Sequence, residues 1–124
     1  MEKRASLSGS SEWTPPPEDE CWEETVVVQV DLTNRIIMRR REWNDQLVDY
    51  AIIHARKSTD GEWAETTCID TKHGTIHRHD GPHTESEARV IRPIQSQEDV
   101  QQSFKPSYDE VYDSYLESTK GPVK

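Results

Sequence analysis

The chain has 124 residues, of which 31% are hydrophobic and 31% charged, with a formal net charge of −9 and two cysteines. That length bounds it to one domain with a small core, and two cysteines do not make a disulfide framework. No apolar run approaches the roughly 20 residues of a membrane-crossing helix. The charge is uneven: residues 1–25 carry −5, residues 26–94 carry −1 and residues 95–124 carry −3. Nucleic acid is therefore disfavoured at long range but not at one face of the near-neutral middle.

Residues 1–24, MEKRASLSGSSEWTPPPEDECWEE, predict a disordered, acidic, Pro/Ser-rich arm with too little apolar surface to offset the entropy of ordering. Trp13 and Trp22 are its exceptions, aromatics that either dock into a partner's groove or fold back onto the domain. Residues 25–118 are expected to form a single α+β domain, with a flexible tail at 119–124. The N-terminus lacks the apolar segment of a secretory signal, so a reducing cytoplasm is the expected compartment.

From Thr25 the pattern becomes period-2, with Val26, Val28, Val30 and Leu32 on one face. Thr33-Asn34 turns the chain into a second strand, RIIMRRREW, and NDQ turns it again into LVDYAIIHARK. Asp60-Gly61 is the preferred pair for a two-residue type I′ hairpin, which would set Ile52 against Ile69, Ile53 against Cys68 and Arg56 against Glu65. A second hairpin at His73-Gly74 sets Asp70 against His77 and Cys68 against His79, with Thr66 on the same face. A loop one residue longer would bring Ile69 to His77 instead. A last strand is expected around EARVIRPI.

Two helix starts follow. Ser96-Gln97-Glu98-Asp99 resembles a capping box before a short helix that Lys105-Pro106 interrupts. Ser107-Tyr108-Asp109-Glu110 opens a second, in which Tyr108, Val111, Tyr112, Tyr115 and Leu116 form one apolar stripe, with Gly121 placed to end it. That stripe is expected on the sheet face bearing Ala51, Ile53, Ala55, Ala64 and Cys68. The architecture expected is a four- or five-stranded antiparallel sheet with C-terminal helices packed on one face.

Residues 70–83, DTKHGTIHRHDGPH, hold four of the five histidines. His77 and His79 lie two apart on a strand, about 6.5 Å between Cα atoms, and with Asp70 or Cys68 and a water can converge on one zinc ion. No complete metal motif is present: His77-Arg78-His79-Asp80-Gly81-Pro82-His83 does not match the metallo-β-lactamase run, no cupin set follows, and there is no His-Glu-x-x-His. No metal or cofactor is assigned on these grounds.

The same residues also suit acid–base chemistry. Asp70 would orient His77, and His79 would carry the complementary proton transfer that RNA cleavage through a 2′-hydroxyl requires. Catalytic candidates are thus His77, His79 and Asp70. Candidates for phosphate and base contact are Lys72, Arg39, Arg40, Arg41 and Trp43, whereas Arg78 points to the opposite face. The bland alternative is a solvated polar hairpin and a charged strand face, with His54 structural and His83 in a loop.

The pattern Asp70-x-x-His73-Gly74-x-x-His77-x-His79, followed by an amphipathic helix, resembles small bacterial and archaeal families of uncharacterised function and, more distantly, TumE-like toxins of toxin–antitoxin pairs. The resemblance spans roughly Val26 to Leu116. It implies a compact prokaryotic α+β domain and, for the toxin branch, a ribonuclease-like activity held in check by a partner. Two features depart from that branch: Ile69 stands where an arginine often precedes the aspartate, and −9 is an unusual charge for a protein that grips RNA.

The leading expectation is a small cytosolic interaction or regulatory domain acting on a protein partner through Trp13 and Trp22. A metal-independent endoribonuclease, with RNA as partner, is the alternative, and a zinc-dependent hydrolase the second.

Overall fold

The β-branched runs become long strands in the computed structural model, which describes residues 13–81 and 88–120. The strands are β1 (Trp22–Asp31), β2 (Asn34–Trp43), β3 (Gln46–Lys57), β4 (Trp63–Asp70), β5 (Thr75–Asp80) and β6 (Arg89–Pro93), followed by one helix, α1 (Gln97–Lys120). They form one antiparallel sheet in chain order. The expected four or five strands are therefore six. β6 is short and ends in Pro93, yet it joins as an edge strand, where a missing N–H is tolerated.

Turn chemistry sets the register. At the β1–β2 turn the Asp31 carboxylate accepts from the Thr33 N–H (2.9 Å) and the Asn34 amide (3.0 Å), and Leu32, expected on the valine face, is 90% exposed at the tip. Asn44 and Asp45, at φ 54° and 62°, make the two-residue loop between β2 and β3. The type I′ turn expected at Asp60-Gly61 does not form. Only Gly61 of that pair is left-handed, and the Ser58 N–H donates to the Glu62 carbonyl across a longer loop. Ile52 still faces Ile69 and Ile53 faces Cys68, but the register shifts at Thr66, so Ala55 rather than Arg56 faces Glu65. Between β4 and β5 a 3-10 turn at Lys72–Gly74 replaces a two-residue loop, with the expected pairing of Asp70 to His77 and Cys68 to His79.

The two expected helices are one. Ser96 Oγ accepts the Asp99 N–H (3.3 Å) as an N-cap, and α1 continues through Pro106. A proline inside a helix costs about 3 kcal/mol. Packing on both sides of it opposes a break: Val100 and Val111 are fully buried, and the Tyr50 hydroxyl bonds Ser103 (2.7 Å) and Ser107 (2.9 Å), which flank the proline.

The helix covers the face opposite to the one expected. Tyr50, Ile52, Ile69 and Ile36 point to α1 and form the core with Val100 and Val111. Burying each such side chain contributes about 1.5–3 kcal/mol, more than the smaller Ala51/Ala55/Cys68 face offers. The face opposite the helix is thereby left for Asp70, His77 and His79.

Trp13, expected in a disordered arm, packs against the core, and β1 already begins at Trp22. Residues 119 and 120, placed in a tail by the sequence, are helical. Residues 1–12, His83 and Gly121 lie outside the described residues. Among those described, no helix is long and apolar enough to cross a membrane.

Candidate acid–base site

Antiparallel pairing lines up side chains in rows across the sheet, and one row reads Arg39, Ala51, Asp70, His77 from β2 to β5. The adjacent row reads Ile37, Ile53, Cys68, His79. Strand periodicity places both rows on the face away from α1.

Asp70 and the two histidines are 4, 6 and 4% exposed. His77 Nε2 lies 2.8 Å from Asp70 Oδ1, and His77 Nδ1 lies 3.1 Å from the Thr75 hydroxyl. A carboxylate only accepts, so Nε2 carries the proton and Nδ1 of the neutral ring accepts from Thr75. Carboxylate, imidazole and hydroxyl thus form a relay in which Asp70 fixes tautomer and orientation. The His79 ring stands 5.0 Å from that of His77, at 80°. Asp70 is itself held, its Oδ1 accepting the Lys72 backbone N–H (3.2 Å) and its Oδ2 approached by the Cys68 thiol (3.7 Å).

Burial first, and the Asp70 charge second, push the Cys68 thiol far above its ordinary value, which disfavours a free thiolate. Asp70, His77 and His79 each offer a ligand atom, all within 4.8 Å of one another, and could hold a divalent cation.

The arginine run divides by strand alternation. Arg39 and Arg41 lie on the site face and share the Asp49 carboxylate, Arg39 at 3.3 Å. Arg40 points to the helix side, bonded to Glu24 (3.1 Å) and Glu42 (3.2 Å) with its guanidinium 6.0 Å from the Phe104 ring. It is therefore withdrawn from the site. Arg41 is occupied by Asp49, Glu23 (3.1 Å) and Glu18 (3.6 Å). Arg39 keeps a buried Nε with no hydrogen-bond partner among the described residues.

Lys72 follows Asp70 in the turn with its side chain exposed. Trp43 is 39% exposed at the far end of β2, and Trp22 is 57% exposed on edge strand β1. Arg78 bonds Glu110 (2.6 Å) on the helix side, as alternation predicts. His54 is buried between Asn34 (2.8 Å) and Thr66 (2.5 Å), a structural histidine, and Thr66 is thereby drawn away from the cluster.

Two residues were missed in the sequence. Thr75 lies two before His77 on the same strand face, a spacing that could have named it. Thr71, whose hydroxyl donates to Asp49 (2.6 Å), carries no such signal.

Comparison with family models, curated proteins and solved structures finds no match, so the geometry alone carries the functional argument.

Proposed function

We propose that the protein is a metal-independent endoribonuclease, with His77 and His79 as its acid–base pair and Asp70 as the residue that orients His77. The observation that carries this is the buried 2.8 Å contact of Asp70 to His77, with the second imidazole 5.0 Å away. A substrate 2′-hydroxyl takes the place of the Thr75 hydroxyl at His77 Nδ1 and gives up its proton there as its oxygen attacks the adjacent phosphorus. His79 donates a proton to the departing 5′-oxygen. The products are a 2′,3′-cyclic phosphate and a free 5′-hydroxyl.

Arg39, in the same row, faces the charge that develops on the phosphoryl oxygens. Trp13 packs, partly buried, against the protein's own core. Trp22 remains exposed for a protein that restrains the activity in the cytoplasm. RNA cleavage by the wild type in EDTA tests the proposal, together with a His77→Ala variant expected to lose about two to four orders of magnitude in rate. Cleavage abolished by EDTA would favour the metal-dependent alternative instead.

A further inference from the structure

A cavity of about 350 Å³ opens beside the Asp70–His77 row. One wall is the segment before β1, with Trp13, Pro15, Pro16 and Cys21. The other is the β4–β5 turn, with Thr71 and Lys72 directly after Asp70. Its floor includes Val48 and the Arg41–Asp49 pair. That pair lies two residues along the strands from the Arg39–Ala51 pair, a step of about 6.5–7 Å.

We infer that this cavity is a nucleobase subsite, holding the base next to the phosphate that the centre cleaves. This assignment of position rests on the ribonuclease proposal; the preference for a base rests on the cavity itself. Its charges balance, since Arg41 and Lys72 face Glu18 and Asp49, and Arg41 is already held by three carboxylates. A phosphate has no uncommitted guanidinium to bind there. A flat, uncharged heteroaromatic ring gains instead from the Trp13 indole, Pro15, Pro16 and Val48, with the Lys72 ammonium at hand for the attached phosphate. The volume lies at the small end of ligand sites and suits a nucleoside rather than an oligomer.

The probe is adenosine, followed by the indole N–H signals of the four tryptophans and by alkylation of Cys21 with iodoacetamide. Adenosine is expected to shift the Trp13 indole and the Lys72 and Gly74 amides and to slow modification of Cys21, while inorganic phosphate does neither. Unchanged Trp13 and Cys21 signals would overturn the subsite. So would tighter occupation by N-acetyl-tryptophanamide, which would make the cavity a socket for a protein side chain.

On a dinucleotide substrate, Trp13→Ala should raise KM about tenfold to a hundredfold with little change in kcat. Cys21 protection in the wild type reads the same site without risk to the fold. The two proposals fail separately: adenosine binding without RNA cleavage removes the ribonuclease, and cleavage with an unchanged KM in Trp13→Ala removes the subsite.

Discussion

Arg39 and Asp70 stand in one row across the sheet with only the methyl group of Ala51 between them. A larger residue on β3 would separate cation from carboxylate. The Arg39 guanidinium reaches Asp49 (3.3 Å), and its Nε is buried and without a hydrogen-bond partner among the described residues. Arg39→Ala is expected to lower kcat about a hundredfold, the scale of losing one preorganised donor to a developing oxyanion. Stability should change little, because Asp49 keeps Arg41 and the Thr71 hydroxyl as partners. Steady-state kinetics beside a melting curve would show both, and an active Arg39→Ala enzyme would remove Arg39 from the mechanism.

Thr75→Val keeps the β-branched shape and deletes the hydroxyl on His77 Nδ1. Since the substrate hydroxyl replaces that group during reaction, the rate should fall by less than about tenfold, well short of the His77→Ala loss. Equal losses in the two variants would show that the reaction needs the Thr75 hydroxyl on His77 and would contradict its displacement by the substrate.

Acid should weaken the fold in two separate windows. Burial first, and the Arg56 charge second, hold the His54 imidazole below its ordinary value. The unfolded chain then binds the proton more readily, so this contribution is full above about pH 6.5 and declines as pH falls below it. Asp31 behaves like other depressed carboxyls: the Asn34 amide first, then the Thr33 N–H, hold it at about 2, so its contribution is present above its ordinary value and lost between there and about 2. Urea midpoints measured between pH 7.5 and 5.5 should fall for the wild type, and the slope should flatten in His54→Gln. An identical slope in that variant would show that another group is responsible.

Tyr50→Phe removes the hydroxyl that ties Ser103 and Ser107 to the sheet on either side of Pro106. The expected loss is about 1–3 kcal/mol, that of leaving buried hydroxyls short of a partner. It should lie at the lower end, because Ser103 also bonds the Val100 carbonyl (3.0 Å). Denaturation with urea measures it.

Much of the site was legible because strand pairing is local: once the chain reverses near Gly74, the period-2 rule brings either Asp70 or Ile69 to His77, and the turn that forms selects Asp70. The helix position was not legible, because β3 carries apolar residues on both faces. Alternation cannot choose between Tyr50/Ile52 and Ala51/Ile53, and the larger buried volume decides. Asn44-Asp45 and Asp60-Gly61 both suit positive φ, and the register shift at Thr66 explains why the second pair sits in a longer loop. Arg39, Arg40 and Arg41 read as one basic run only until alternation is applied to them. Pro106 reads as a helix break until the packing around it is known.

The most direct test of the acid–base centre is the end group left on a uridine-containing dinucleotide cleaved in EDTA, followed by phosphorus NMR. A 2′,3′-cyclic phosphate should form with the wild type and become undetectable on the same timescale with His77→Ala, His79→Ala and Asp70→Asn. Formation at the wild-type rate in His77→Ala, or no cyclic product from the wild type itself, would contradict it.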